Sequence, residues 1–228
     1  MEFQTYKQAF LNEQPWTETQ KNYTVQEGLE FAVRRAYNDM MPRTIHGIGK
    51  VEDAEKDALK KALADEIRRK FIDDVPISCD VFDKRHKEVC EGFLEKLNAL
   101  CTKHNLNTQH YGKAQKIVNM TFKYLLLLDK AEQYTELFEY CHMPIDTYVL
   151  AYFRDAYQEK PEESLFRIPA WSNMTVDEYT RAQNAIRTYC QSVFQDELQY
   201  PLYAEFRIWG EGQEIYTKNQ GKRRKEKR

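Results

Sequence analysis

The chain predicts an all-α fold, and three observations carry that expectation. Apolar residues recur at helical spacing through most of the 228 residues. Alternating stretches rich in Val, Ile and Thr are scarce. Only 8 glycines and 7 prolines occur, too few for a sandwich or barrel with many tight turns. Hydrophobic residues make up 42% and charged residues 31%, which suits a chain able to build a core. The length fits a single helical domain over residues 1–221, arranged as two lobes with a cleft between them, followed by a basic tail at 222–228.

The elements follow in order. Residues 1–25 read as irregular or short-helical, with Trp16 and Tyr23 as docking aromatics. Thr24 with Glu27 three residues on matches a capping box. The helix it opens runs to about Met40, with Leu29, Val33 and Tyr37 on one face, and Pro42 ends it. Residues 51–73 place Leu59, Leu63, Ile67 and Phe71 at helical spacing on a charged background. Residues 84–104 do the same with Val89, Phe93, Leu97 and Leu100. Asn105 to Gln109 is a polar connector, and Gly112 opens an apolar helix over 113–128. Helices over 131–140 and 147–158 follow, until Lys160-Pro161 breaks the chain. Thr175 and Glu178 form a second capping box for a helix to about Phe194. A last element spans 199–209 and stops at Gly210, and the charge run from Lys222 to Arg228 reads as disordered.

Composition narrows the function classes. No apolar run approaches 18 residues, which excludes a transmembrane helix, and the first 30 residues lack a hydrophobic signal core. Cys79, Cys90, Cys101, Cys141 and Cys190 are scattered and odd in number, as in reduced, cytoplasmic thiols. The formal charge of −2 means that any nucleic-acid contact rests on a local basic face. His86-Lys87-Glu88 has the His-x-Glu of zinc deaminases without the Pro-Cys-x-x-Cys that completes such a site. His46, His86, His104, His110 and His142 show no metal-ligand spacing, and neither a P-loop nor a dinucleotide fingerprint occurs. The Arg-x4–6-His pair of helical RNase toxins is absent as well. Neither a metal nor an organic cofactor is expected.

The segment that carries chemistry starts at Gly112-Lys113-Ala114-Gln115-Lys116 and turns almost wholly apolar through Leu128. Thirty residues after Lys116, the turn Met143-Pro144-Ile145-Asp146 opens another apolar helical run. Burial and a helix N-terminus both disfavour a lysine's charge, so Lys116 is a candidate amine nucleophile with Asp146 as its carboxylate partner. The competing reading makes Lys116 a first-turn surface lysine and Asp146 an ordinary N-cap.

This arrangement resembles the helix-hairpin-helix DNA glycosylases, most closely the archaeal 8-oxoguanine type with its degenerate hairpin. The resemblance covers roughly residues 105–155. Its hairpin normally reads hydrophobic-x-Gly-hydrophobic-Gly, of which only Gly112 remains in His110-Tyr111-Gly112-Lys113-Ala114. The resemblance implies base excision from double-stranded DNA by a monomer, with Lys116 attacking C1′ and Asp146 supporting departure of the base. An oxidised purine is the implied substrate, with a hypermodified base of phage DNA as a second class. It also implies that Gly112 and Lys113 meet the DNA backbone.

Lys123 is the rival nucleophile. Seven residues from Lys116, it shares nearly the same helix face about 10 Å further along the axis, and it reads equally as a buried structural cation or a phosphate ligand. Gln115 and Asn119 flank Lys116 with amides able to read base edges, and Trp171 and Tyr179, after Pro169, are candidates for stacking on an extruded base, Trp171 the favoured one. Ile45-His46-Gly47-Ile48-Gly49 matches the hairpin consensus literally but lies too early to precede the lysine, and reads as a loop. The alternative to an enzyme is a non-catalytic helical DNA-binding or protein-interaction module, with Lys116 as a phosphate ligand.

Overall fold

The computed structural model describes residues 2–13, 23–128 and 131–226. Among them there is no strand, and the chain is all-α. The helices are α1 (Glu2–Glu13), α2 (Val25–Thr44), α3 (Asp53–Ile67), α4 (Cys79–Lys103), α5 (Tyr111–Leu126), α6 (Thr135–Tyr140), α7 (Thr147–Ala156), α8 (Val176–Val193) and α9 (Pro201–Glu226). Short 3₁₀ turns join several of them, and a π-helical turn, Arg68–Ile72, prolongs α3. Trp16 lies outside the described residues.

Both capping boxes form. The Thr24 hydroxyl accepts from the Glu27 N–H while the Glu27 carboxylate accepts from the Thr24 N–H, and Thr175 with Glu178 repeats the pattern at α8. Other boundaries differ from the sequence reading. Pro42 sits inside the last turn of α2 rather than ending it, because the chain continues to Thr44, whose hydroxyl donates to the Met40 carbonyl. Helix α4 begins at Cys79, where Ser78 caps it by accepting from the Val81 N–H. Gly112 lies within the first turn of α5 instead of before it.

The largest departure is α9, which runs through Gly210 and Gly212 to Glu226. Helix interior glycine costs about 1 kcal/mol. At Gly212 the glycine is required, because a Cβ there would collide with the Tyr148 carbonyl oxygen in the first turn of α7. The close approach lets α9 bury Ile208 and pack Trp209 edge-on to Tyr148, which outweighs the propensity cost. The backbone of the run from Lys222 continues this helix to Glu226, where an irregular tail was expected.

Helix α5 is the central element. Every residue from Tyr111 to Leu126 is buried except Met120. It packs chiefly on α2 and α4, while α7 packs chiefly on α9, and α1 leans on α9. One continuous apolar core runs from Phe3 on α1 through Phe122 on α5 to Ile208 on α9. Among the described residues no helix is long and apolar enough to cross a membrane.

Candidate functional site

The N-terminal half of α5 and the N-terminus of α7 meet at Lys116 and Asp146. Lys116 Nζ lies 2.8 Å from Asp146 Oδ2, and their side chains are only 9% and 15% exposed. Asp146 is the N-cap of α7, its Oδ1 accepting from the Tyr148 and Val149 N–H groups at 2.9 and 3.0 Å. Its Oδ2 also accepts from the Trp209 indole N–H at 3.2 Å. Burial alone would raise the Asp146 carboxyl. The charge and hydrogen bond of Lys116, the Val149 N–H and the charge of Lys123 outweigh it and hold the group below its ordinary value. Asp146 is therefore a carboxylate with all its acceptor directions used, aimed at an amine.

The pair opens into a cleft of about 430 Å³. Aromatic side chains line it from five elements: Phe10 from α1, Tyr124 from α5, Tyr148 from α7, Trp171 from the turn before α8, and Trp209 and Tyr216 from α9. Arg43, exposed at the end of α2, lies on its rim without an ion-pair partner among the described residues. Trp171 thus lines the same cleft as Lys116 and Asp146.

At the buried side of the cleft Lys123 Nζ stands 2.6 Å from Glu205 Oε2, both side chains almost wholly inaccessible. Three rings surround the ammonium, with centroids 4.1 Å (Phe10), 4.9 Å (Phe206) and 5.6 Å (Trp209) away. Burial lowers the pKa of Lys123, while Glu205 opposes the shift. This is the buried structural cation among the readings of Lys123, one whose removal would leave Glu205 uncompensated.

Four other sequence candidates sit elsewhere than expected. Gly112 does not present its N–H to solvent. It donates to the Met174 carbonyl at 3.0 Å, and a Cβ would collide with the Trp171 carbonyl oxygen, so the glycine seats the Trp171 turn on α5. Lys113 is buried and spends its ammonium on the Thr44 carbonyl at 2.6 Å and the Gln109 side chain at 2.5 Å. Burial lowers its pKa. Neither residue is placed to meet a DNA backbone. Gln115 and Asn119 are fully buried and do not line the cleft. Gln115 bonds the backbone of Ile145, and Asn119 bonds Gln115, Tyr179 and His86.

A second cavity of about 630 Å³ lies between α4 and α8, with His142, Tyr179 and Gln183 among its lining residues. His142 bridges Tyr179 and Asp83 at 2.8 Å each, and Arg187 grips the same Asp83 carboxylate at 2.9 Å. Burial would raise Asp83, but His142 and Arg187 hold it far below the carboxylate range. Burial lowers His86 and His142. Every member of this cluster has a partner, and it reads as structural. No three His, Cys, Asp or Glu side chains among the described residues converge on a metal position.

Sequence reasoning missed Glu205, Trp209 and Arg43. An acid within the apolar run Leu202-Tyr203-Ala204-Glu205-Phe206 was a usable signal, because such a group must be paired when buried. Trp209 and Arg43 carry no comparable mark. No protein-family model, curated protein or solved structure matches the chain.

Proposed function

We propose that the chain is a DNA glycosylase with lyase capability, acting as a cytoplasmic monomer on double-stranded DNA. One observation carries the reading: an amine and an ionised carboxylate 2.8 Å apart at the edge of an aromatic-lined cleft of about 430 Å³. The two-lobed reading places this cleft between the α2–α5 group and the α7–α9 group. A base extruded from the duplex would enter between the rings, since stacking binds any base through its π-face. Arg43 at the rim supplies positive charge toward the phosphates, which a chain of net charge −2 needs locally.

The chemistry uses residues already in contact. Lys116 passes a proton to Asp146 and attacks C1′ with the freed lone pair. The bond from C1′ to the base breaks, and the departing base carries away the electron pair and takes up the proton that Asp146 received from Lys116. The C1′–O4′ bond then breaks with its electron pair going to O4′, which takes up the proton the amine nitrogen loses, and the ring-opened sugar is held as a protonated imine on Lys116. Asp146, again a carboxylate, faces the positive charge that develops on the sugar. An oxidised purine is the first substrate class and a hypermodified phage base the second.

Borohydride trapping tests this on duplexes carrying 8-oxoguanine or a glucosylated hydroxymethylcytosine. Wild type should form a covalent adduct, Lys116→Gln none, and Lys123→Gln should retain it. A trapped adduct that survives Lys116→Gln would refute the assignment. The satisfied acceptor directions of Asp146 favour the rival, a non-catalytic module in which the pair only stabilises α7. That rival predicts no adduct on any duplex.

A further inference from the structure

Residues 141–146 form an irregular segment between α6 and α7, and 141–145 are buried. Buried backbone without helix or strand partners must find its hydrogen bonds elsewhere. Here two glutamines supply them. Gln183 on α8 accepts from the Met143 N–H at 3.3 Å and donates to the Met143 carbonyl at 2.6 Å. Gln115 on α5 accepts from the Ile145 N–H at 3.4 Å and donates to the Ile145 carbonyl at 3.0 Å. Each side-chain amide thus pairs with both backbone groups of one residue, as a neighbouring strand would. Pro144, which has no N–H to satisfy, lies between the two clamped residues. Asn119 braces the arrangement by donating to the Gln115 carbonyl oxygen at 3.1 Å.

The register of these bonds has a consequence for the site. Residues 115 and 145 are joined by the amide clamp, and the next residue on each chain, Lys116 and Asp146, forms the ion pair. Gln183 holds the segment two residues upstream of Ile145 and comes from a helix that contributes nothing to the lining of the cleft.

We infer that Gln183, together with Gln115, is a positioning residue: it sets the place of Asp146 against Lys116 without touching substrate. A misplacement of about 1 Å costs on the order of 100-fold in rate even when the change lies away from the chemistry. The effect on rate rests on the base-excision reading, whereas the effect on geometry does not. Trp209 reports the geometry, because its indole N–H donates to Asp146 Oδ2.

The test uses the full chain with Gln183→Leu, which deletes both bonds, and Gln183→Asn, too short to span both backbone groups. The Asn variant carries the test if the Leu variant does not fold. Two-dimensional ¹⁵N NMR, with Trp209→Phe to assign the peak, should show the Trp209 indole resonance moved or broadened. Single-turnover excision at saturating DNA should fall on the order of 100-fold, while the DNA concentration giving half-maximal rate stays the same. An unmoved indole peak in a folded variant overturns the inference. So does a raised half-maximal concentration with the saturating rate retained, which would put Gln183 in substrate binding. If wild type excises no base, the base-excision reading fails while the indole peak still decides the role of Gln183.

Discussion

Asp146→Asn separates a helix cap from one half of a buried ion pair. As a cap the change is nearly neutral, because asparagine serves as well as aspartate and its oxygen can still accept from Tyr148 and Val149. The other oxygen decides the outcome. Oδ2 accepts from both Lys116 and Trp209. An amide NH₂ in that position would face two donors, and the Lys116 ammonium would remain in a site where its side chain is 9% exposed. Removing one partner of a fully buried pair costs about 3–5 kcal/mol. The residual exposure here places the cost nearer 2–3 kcal/mol, or roughly 5–10 °C in Tm for a chain of this length. Thermal unfolding followed by circular dichroism at pH 7 measures it. Lys116→Met added to Asp146→Asn should recover part of the loss by removing the orphaned charge. The acid limb has a defined sign. The Asp146 carboxyl is held below its ordinary 3.8, so the pair's stabilisation is complete above that value and lost as the pH falls through the lower folded value. The Tm gap between wild type and Asp146→Asn should therefore close on acidification below pH 3.8. A variant that melts within 2 °C of wild type at neutral pH, on the scale of roughly 2–4 °C per kcal/mol, would refute the ion-pair reasoning.

Three further outcomes are expected. Gly112→Ala should destabilise by about 1–3 kcal/mol in urea titration despite alanine's better helix propensity, because its Cβ meets the Trp171 backbone carbonyl. Arg43→Gln should weaken binding of modified and unmodified duplex alike and lower the slope of log affinity against log salt by about one, read by fluorescence anisotropy across a salt series. Deleting the basic run from Lys222 to Arg228 should act in the same direction and leave excision at saturating enzyme intact; loss of discrimination between bases would instead make that run part of recognition.

Much of the fold was legible because its determinants are local. The capping boxes at Thr24 and Thr175 join residues three apart, and the apolar spacing of α3 and α4 marks the face each one buries. Asp146 at the start of α7 was legible for the same reason, as an acid after a proline ahead of an apolar run. The Lys116–Asp146 pairing was read from a lysine at the start of a buried helix and a Pro-x-Asp turn, with the resemblance added to it, and the two groups lie 2.8 Å apart. The roles of Gly112, Lys113, Gln115 and Asn119 were misplaced because flanking a lysine in sequence says nothing of which side of α5 faces a cleft. On a helix buried nearly all round, polar side chains face whatever neighbour lies beside them: the Trp171 turn, the end of α2, or the segment before α7.

The sequence by itself determined that the chain is helical, where most helices begin, and that one lysine and one aspartate deserve chemical scrutiny. Only the tertiary structure decided that Glu205 neutralises Lys123, that Trp209 reaches Asp146, that Gln183 holds Met143, and that α9 continues through its glycines. Helix starts arise from bonds between residues a turn apart, so a short stretch of sequence contains both partners. Ion pairs and clamps between helices depend on which faces meet, and that choice is made by the packing of the whole core.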